Sequence, residues 1–281
     1  MKLIIILSIL VISQAAVIKE DGNENNCGGV EINGVHHREE VLKENMDRPY
    51  LLTVDRSKDV LYFSYNVVEN SDNFISARLN LKTEEFKTID DVPNGFAQTV
   101  DEATNDVYIG GSDGLYKYDY STHKSEAIGE KGSDIWNVFF KDVLYFSVFP
   151  SQFLYTLSYG EVSRFKDLQD TKVDHFVIDS NDVMYFTNAT GFYGQRKGTS
   201  TATVYKEQER TDNGIRGIAI DTRGKVHICL QTGIFVLNTD TNSLDSVLQI
   251  DDAFGLAFDS SNNIIYSDAT RLVRLIPENS C

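Results

Sequence analysis

The sequence has little positive charge and few long apolar runs, and both shortages exclude classes of partner. Lysine and arginine number 26 against 42 aspartate and glutamate, so the formal net charge is −16, and the basic residues are scattered. Binding to nucleic acid or to an anionic membrane surface depends on clustered positive charge, so we expect neither partner. Beyond the N-terminus, no apolar run is long enough to cross a bilayer.

The N-terminus itself has the pattern of a secretory signal peptide. The stretch MKLIIILSILVISQAA contains one lysine, an apolar run over 3–12, and the small residues Ser13 and Ala15 before a cleavage point near Ala15-Ala16. We therefore assign 1–15 to a signal peptide and 16–26 to a polar segment, and expect the mature chain to be secreted and extracellular. An uncleaved anchor is the alternative, although the apolar run is short for a span.

Three cysteines remain to be explained in an oxidising compartment. Cys27 follows the polar segment and Cys281 is the last residue, so an end-to-end disulfide is the natural pairing. Cys229 lies inside the strand-like run VHICL and is expected to be a semi-buried free thiol. Three unpaired thiols are the alternative.

A phrase of about 40 residues repeats through the chain. In each copy, a small apolar run and an acidic residue precede a tyrosine within a second apolar run. The tyrosine recurs as Tyr62, Tyr108, Tyr145, Tyr185 and Tyr266, with His227 between the last two. The acidic residue recurs as Asp55, Asp101, Asp179, Asp221 and Asp259, with Lys141 in the third copy.

The repeats predict an all-β fold, a six-bladed β-propeller. The second copy shows four short runs separated by turn residues, GFAQTVD, DVYIGG, GLYKYDY and SEAIG, and helical periodicity is almost absent. One sheet cannot cover its own faces, so the blades stack around an axis and cover each other. We expect a single domain over 27–281, with blades starting near residues 48, 94, 133, 172, 213 and 252.

Ring closure accounts for the two ends. The sixth copy has three strands, and GVEINGVHHREEVL near the N-terminus is strand-like but has no repeat of its own. We therefore predict that 27–47 supplies the missing outer strand of blade six. That arrangement also brings Cys27 and Cys281 to the same turn.

Six equivalent positions lie near the start of the innermost strands, five residues before the acidic position. They are Tyr50, Phe96, Trp136, Asp174, Arg216 and Phe254. Around the ring, Phe254, Tyr50, Phe96 and Trp136 are consecutive, and we name these four the aromatic arc. Asp174 and Arg216 occupy the remaining two blades with opposite charges.

This set of residues suits a flat, conjugated, partly anionic ligand at the channel mouth. Aromatic side chains offer a large stacking area, and Arg216 offers a planar donor fork for a carboxylate or sulfate. Asp174 and His175 can orient a phenol, an amine or a ring nitrogen. The alternative is structural: the rings plug the channel, and Arg216 pairs internally with Asp174.

Blade four contains the segment TNATGFYGQRKGTSTATVY, which is longer than its counterparts and rich in glycine. It predicts a lid over the channel mouth, formed by Phe192, Tyr193 and Arg196, or else a mobile insertion. Asn188-Ala189-Thr190 is an N-glycosylation sequon.

Two motifs that would indicate a metal-dependent or redox enzyme, H-E-x-x-H and C-x-x-C, are missing from the sequence. A G-x-S-x-G is present at 110–114, but it lies between two strand-like runs of the second repeat rather than between a strand and a helix. Blade five, NGIRGIAIDTRGKVHICL, resembles the inner-strand phrase of the gluconolactonase and regucalcin family, which places an acidic metal ligand where this chain has Arg216. The six ring positions supply one carboxylate, Asp174, whereas a hard cation needs several oxygen ligands. We expect no enzyme activity, no metal and no cofactor; a metal-dependent lactonase is the alternative.

The N-terminal segment CGGVEINGVHHREEVLKENMDRPYLLTVDRSKDVLYFSYN resembles the start of the insect (lepidopteran) ommochrome-binding proteins, and the resemblance continues through FISARLNLKTEEFKTIDDVPNGFAQTVDEATNDVYIGGSDGLYKYDY. It implies a secreted haemolymph carrier of ommochromes, which are planar phenoxazinones with amino-acid and sometimes sulfate groups. A propeller that acts as a protein-interaction module is a third possibility from fold analogy alone.

Overall fold

The computed structural model describes residues 28–67, 71–207 and 214–278, which form six antiparallel sheets arranged as a six-bladed β-propeller. The fold class expected from the repeats is therefore confirmed. The signal peptide and the Cys27–Cys281 disulfide lie outside the described residues and stay predictions.

The first five blades each have four strands, and the chain enters them after an N-terminal hairpin. The hairpin is β1 (Val30–Ile32) and β2 (Val35–Lys43). Blade one is β3 (Asp47–Asp55), β4 (Val60–Asn66), β5 (Phe74–Asn80) and β6 (Phe86–Ile89). Blade two is β7 (Ala97–Asp101), β8 (Asp106–Gly111), β9 (Gly114–Asp119) and β10 (Lys124–Gly129). Blade three is β11 (Asp134–Lys141), β12 (Val143–Phe149), β13 (Phe153–Ser158) and β14 (Glu161–Arg164).

The remaining strands complete the ring. Blade four is β15 (Phe176–Ile178), β16 (Val183–Asn188), β17 (Gly191–Arg196) and β18 (Ala202–Glu207). Blade five is β19 (Ile215–Ile220), β20 (Val226–Leu230), β21 (Gly233–Asn238) and β22 (Ser243–Gln249). Blade six takes β23 (Gly255–Phe258), β24 (Ile264–Ser267) and β25 (Leu272–Pro277) from the C-terminal end of the chain.

Blade six is closed by the N-terminal segment, as predicted. Strand β2 pairs antiparallel with β25, and Glu40 lies opposite Arg274. The segment is a hairpin rather than one strand, because Asn33 and Gly34 both have positive φ, 51° and 77°, as a tight two-residue hairpin turn requires. The sixth sheet therefore has five strands, in the order β1-β2-β25-β24-β23.

The repeated aspartates stabilise the turn that follows each inner strand. All five are buried, and each accepts hydrogen bonds from the residues of that turn. In blade six, Asp259 accepts from the backbone N–H groups of Ser261 and Asn263, at 3.0 and 2.8 Å. A short acidic side chain that bonds the backbone two to four residues on fixes a tight turn, which explains why the phrase repeats.

The core is a ring of six apolar clusters, each formed between two neighbouring blades. The repeated tyrosines belong to these clusters; Tyr62, Tyr145, Tyr185 and Tyr266 are buried, and Tyr108 is partly buried. No blade has a covered core of its own, so each sheet is stable because its neighbours cover both of its faces.

Cys229 belongs to the cluster between blades five and six and is free, as predicted. It is fully buried rather than semi-buried, and burial raises the pKa of its thiol to about 12. The thiolate is the reactive form, so this cysteine is chemically inert.

Helix is almost absent from the described residues, where the regular helical element is the 3-10 turn Lys166–Leu168. Across 28–67, 71–207 and 214–278, no helix has the length and apolar character needed to cross a membrane.

Candidate functional site

The four rings of the aromatic arc form a continuous series of contacts at one end of the central channel. The centroid of the Tyr50 ring is 5.2 Å from that of Phe254 and 6.0 Å from that of Phe96, and Phe96 is 5.2 Å from Trp136. Tyr50, Phe96 and Trp136 are partly exposed, whereas Phe254 is buried. The positions compared across the repeats are therefore neighbours in space, and three of the rings offer a face or edge to solvent.

Two further rings extend the series. Phe74 lies 4.6 Å from Phe96 and 5.7 Å from Tyr50, and Phe149 lies 5.7 Å from Trp136. Phe149 is 48% exposed, although a phenylalanine at a purely structural position is usually covered. Sequence comparison at the inner-strand position missed both, because Phe74 begins a third strand and Phe149 ends a second strand. A comparison of the residues flanking the loops between those strands would have found them.

Arg216 stacks on the arc rather than pairing across the channel. Its guanidinium carbon is 4.3 Å from the centroid of the Phe254 ring, and Nη2 is 3.9 Å from Asp252 Oδ1. This ion pair is at the limit of direct contact, and Asp252 also accepts a hydrogen bond from Gln231 at 2.9 Å. The internal pair with Asp174 that the structural alternative required is replaced by this arrangement. The guanidinium, with its side chain 26% exposed, can still donate to an anion.

A second guanidinium lies near the arc, but it is already engaged. Arg48 donates to both carboxylate oxygens of Asp47, at 3.0 and 3.2 Å. Hydrogen bonding to Asp47 raises the pKa of the Arg48 guanidinium. Asn66 holds the same carboxylate at 3.3 Å. Of these two arginines, Arg216 therefore has the looser internal partner and suits an incoming anion better.

Asp174 and His175 occupy the equivalent place in blade four. Asp174 accepts a hydrogen bond from the amide of Gln152, and burial raises the pKa of its carboxyl. Burial also lowers the pKa of His175 to about 4, and a hydrogen bond to the backbone of Ile215 offsets this only in part. His175 is therefore a neutral imidazole at physiological pH, with one ring nitrogen left as an acceptor.

The predicted lid is wrong. Residues 191–196 are the third strand of blade four, β17, and pair with β16 in a continuous register from Asn188↔Gly191 to Val183↔Arg196. Phe192 is fully buried in the cluster between blades four and five, and the Tyr193 ring packs 5.4 Å from that of Phe186. Arg196 ends the strand away from the arc.

The glycines that suggested a mobile loop have a packing role instead. A Cβ atom on Gly194 would lie 2.6 Å from the Tyr205 ring, and one on Gly191, where φ is +151°, would lie 2.2 Å from the carbonyl oxygen of Lys206. The neighbouring strand β18 approaches β17 too closely for any larger residue at position 191 or 194.

Asn188 is the last residue of β16, at the turn into β17, on the same end of the propeller as the arc, and is partly exposed. Its amide oxygen accepts from the Thr190 N–H at 2.8 Å and from the Thr190 hydroxyl at 2.6 Å. Glycosylation of this sequon stays a prediction.

Below the arc, the inner strands enclose a channel of about 710 Å³. Its lining starts with residues that directly follow the ring positions, such as Ala97, Asn137 and His175, and ends at the turns beyond the inner strands. At that far end, Arg56 of blade one donates to the carbonyl oxygens of Ile220 and Phe258, at 3.0 and 3.4 Å, and bonds Glu102 at 2.6 Å. This one side chain ties blades one, two, five and six across the end of the channel.

Metal ligation has little support in this geometry. Within the described part of the chain, no three histidine, cysteine, aspartate or glutamate side chains come together in a group that could hold a metal ion. At the arc end, the six ring positions supply the single carboxylate Asp174, which accepts from Gln152. The nearby Asp252 is 3.9 Å from Arg216.

Comparison with known proteins gives two kinds of similarity. No protein-family model matches the chain. The ommochrome-binding protein of Manduca sexta is 30% identical over 258 residues, which cover 90% of this chain and 92% of that protein.

Solved structures share the fold at much lower identity. A gluconolactonase from Xanthomonas campestris has a TM-score of 0.68 at 12% identity and covers 86% of this chain and 90% of its own. A luciferin-regenerating enzyme has a TM-score of 0.67 at 12% identity, with 85% and 95% coverage. Regucalcin, a calcium-binding protein from Agrobacterium tumefaciens, has a TM-score of 0.65 at 12% identity, with 86% and 94% coverage.

These structures show a common architecture and nothing finer, since identity is so low. The similarity to the Manduca sexta protein is different in kind, because it extends over nearly the full length of both chains. This chain belongs to the ommochrome-binding protein family.

Proposed function

We propose that the protein is a secreted, non-enzymatic carrier that binds a planar aromatic pigment of the ommochrome type at the arc end of its channel. The observation that carries the proposal is the continuous series of rings from Phe254 to Trp136, with the Arg216 guanidinium stacked at one end. The name of the full-length relative, an ommochrome-binding protein, supports the same ligand class.

The arrangement matches the chemistry of such a ligand. A tricyclic conjugated ring system has two flat faces and buries most of its surface between aromatic side chains, which lose few rotamers on binding. Amino-acid or sulfate groups on the ring system are anionic, and a planar guanidinium binds them with two parallel hydrogen bonds. Trp136 and Arg216 lie at opposite ends of the series, so one ligand can stack over the arc with its anionic group toward Arg216.

The carrier is expected to be extracellular. The signal peptide pattern supports secretion, and the acidic net charge of −16 gives no affinity for nucleic acid or anionic membranes. An acidic surface also suits a protein that must stay soluble while it holds an apolar pigment. N-terminal sequencing of the secreted protein should show a chain that starts near Ala16.

A metal-dependent lactonase is the second candidate, favoured by the shared fold with gluconolactonase and regucalcin. In this chain, however, Arg216 takes a ring position where a positive charge opposes a cation. The described residues also lack a group of three metal-ligating side chains. A hard cation held by the one partly buried carboxylate of Asp174 would keep most of its water and bind weakly.

One experiment separates the two functions. The purified mature chain is titrated with a carboxylated phenoxazinone, followed by the visible band of the pigment and by equilibrium dialysis. In parallel, aldonolactone hydrolysis is measured with added Ca²⁺, Mg²⁺, Mn²⁺ or Zn²⁺. We expect saturable binding of one pigment per chain and no lactone turnover above background. Cation-dependent hydrolysis without pigment binding would overturn the proposal in favour of the lactonase.

A further inference from the structure

The channel below the arc has two different walls. On blades five and six, the lining between Arg216 and the far turns includes small and apolar residues such as Gly217, Ala219, Gly255 and Ala257. A Cβ atom added to Gly217 would meet no atom within 4 Å, so the space next to Gly217 is open. An open space beside small apolar residues accepts the face or edge of a planar ring system.

The opposite wall, on blades two and three, contains two buried amides. Gln98 is 5% exposed and Asn137 is 8% exposed, and both border the channel. Their strands lie side by side, as the 3.1 Å hydrogen bond from the Phe140 N–H to the Thr99 hydroxyl shows. The two amides therefore border the channel on adjacent blades, and the Gln98 side chain is turned toward Ser76 of blade one.

The orientation of the Gln98 amide follows from its contacts. Nε2 donates to the Phe96 carbonyl oxygen at 2.6 Å and to the Ser76 hydroxyl at 3.2 Å, and a carbonyl oxygen can only accept. Oε1 therefore points away from these partners, and it has no hydrogen-bond partner among the described residues. Asn137 Oδ1 is also buried without a partner in the same part of the chain.

Two unpaired buried acceptors on residues that line the channel are costly for the folded protein, and each buried polar atom in this state calls for an explanation. His175 of blade four also borders the channel, and burial keeps its imidazole neutral.

We propose that the deep edge of the ligand enters this channel, and that Gln98 and Asn137 select ligands with hydrogen-bond donors on that edge. The inference rests on the proposed function and deepens it, because it names the form of the pigment that binds best. An oxidised phenoxazinone has acceptors, an imine nitrogen and a quinone carbonyl, where the reduced form has N–H and O–H donors. The reduced form therefore complements the wall, and the oxidised form places acceptor against acceptor.

The test uses one probe in two states. A carboxylated phenoxazinone is titrated into the full mature chain in air, and the same compound, chemically reduced, is titrated under anaerobic conditions. We expect the reduced form to bind roughly tenfold more tightly, as one additional hydrogen bond allows. For a two-electron couple, a tenfold preference raises the reduction potential of the bound pigment by about 30 mV.

Three variants locate the effect. Asn137→Leu removes the unpaired acceptor and should abolish most of the preference without lowering the melting temperature, because Oδ1 has no hydrogen-bond partner among the described residues to lose. Ser147→Ala is the matched control: Ser147 lies directly opposite Asn137 on β12, its hydroxyl is also unpartnered, and it does not border the channel. It should keep the full preference. Gly217→Val fills the open space and should weaken both forms at least tenfold.

Equal affinity of the two forms for the wild-type chain would overturn the inference. So would a preference that survives in Asn137→Leu, or pigment affinity that is unchanged in Gly217→Val, which would place the ligand at the mouth alone. Each of these results leaves the carrier function intact, since the pigment still binds. Failure of both forms to bind the wild-type chain would instead refute the proposed function itself.

Discussion

At the scale of single residues, we expect Arg216 to determine which ligands the mouth of the channel prefers. Its guanidinium has an ion-pair partner at 3.9 Å and a ring at 4.3 Å, so a ligand anion can take its best hydrogen-bonding directions. Arg216→Ala should weaken a carboxylated phenoxazinone by roughly 10- to 100-fold, since a charge-assisted hydrogen bond is worth about 1.5–3 kcal/mol. The same substitution should weaken binding of the methyl ester of this compound much less.

Arg216→Lys is the informative comparison in this series. An ammonium keeps the charge but cannot form the bidentate fork, so it should restore only part of the affinity for the acid. Isothermal titration of acid and ester into each variant measures these differences. An equal loss for acid and ester in Arg216→Ala would remove the anchoring role of this residue.

A second prediction at the scale of single residues concerns His175 and the pH dependence of folding stability. Burial lowers its pKa from 6.5 to about 4 in the folded state, so between these values the unfolded chain binds a proton that the folded chain does not. The contribution to stability is fully present above pH 6.5 and is lost as pH falls toward 4. The free energy of unfolding of His175→Gln, measured by urea denaturation, should therefore fall less than that of wild type as pH is lowered from 6.5 to about 4. Identical pH profiles for the two proteins would contradict the assignment.

The sequence predicted the positions of these residues well and their partners poorly. Equivalent positions in a repeat occupy equivalent places in a ring, so Tyr50, Phe96, Trp136 and Phe254 are neighbours because the blades are. The choice of Asp252 over Asp174 as the partner of Arg216 depends on side-chain conformation, which no repeat alignment contains.

At the scale of elements, the turn after each inner strand depends on one aspartate. Asp259 is 4% exposed and accepts three hydrogen bonds, from two backbone N–H groups and from the Asn263 amide. Asp259→Ala leaves these donors unpaired and should lower the free energy of unfolding by about 3 kcal/mol. Asp119→Ala, in an exposed turn with similar bonds, is the control and should cost much less because water replaces the lost acceptor. If urea denaturation shows comparable losses in the free energy of unfolding for Asp259→Ala and Asp119→Ala, the repeated aspartate has no special role in stabilising its turn.

Two elements show where pattern recognition was insufficient. The segment over 191–196 has two glycines, which resemble loop residues in a sequence, but their neighbours in space are the reason for them. The pattern of the N-terminal segment predicts a single strand. Its Asn33-Gly34 pair is a strong hairpin signal, and in the structure it divides the segment into β1 and β2. In both segments the sequence shows which residues are present, but the conformation they adopt depends on an adjacent strand.

At the scale of the whole molecule, closure of the ring depends on contacts between the two ends of the chain. Arg274 on β25 bonds Glu40 of the closing strand at 2.5 Å, lies 3.7 Å from Asp259, and donates to the Leu81 carbonyl oxygen of blade one at 3.3 Å. Arg274→Met should lower the free energy of unfolding by about 2–3 kcal/mol, since it leaves partly buried acceptors unpaired.

Arg38→Met provides the matched control for ring closure. Arg38 pairs with Glu278 across the same two ends, but both side chains are exposed, and such surface pairs contribute about 0–1 kcal/mol. Thermal and urea denaturation of the two variants should therefore differ clearly. A larger loss for Arg38→Met than for Arg274→Met would contradict this account of closure.

The six repeats determine the architecture of the molecule, because a phrase that returns about every 40 residues as four strands has few other solutions. The channel could not be predicted in the same way. Its polar lining includes Gln98 and Asn137, which occupy adjacent positions in their repeats, and their burial without a partner for either amide oxygen depends on side-chain packing that the repeat does not specify.

The most direct test of the central claim uses Trp136, the one tryptophan of the chain. The dissociation constant of a carboxylated phenoxazinone is measured by equilibrium dialysis for wild type, Trp136→Ala, Trp136→Phe and the control Tyr159→Ala, whose ring is fully exposed on blade three. If the pigment stacks on the arc, Trp136→Ala should weaken binding by about 1–3 kcal/mol, Trp136→Phe by less, and Tyr159→Ala not at all. Unchanged affinity in Trp136→Ala would show that the pigment does not bind on the arc.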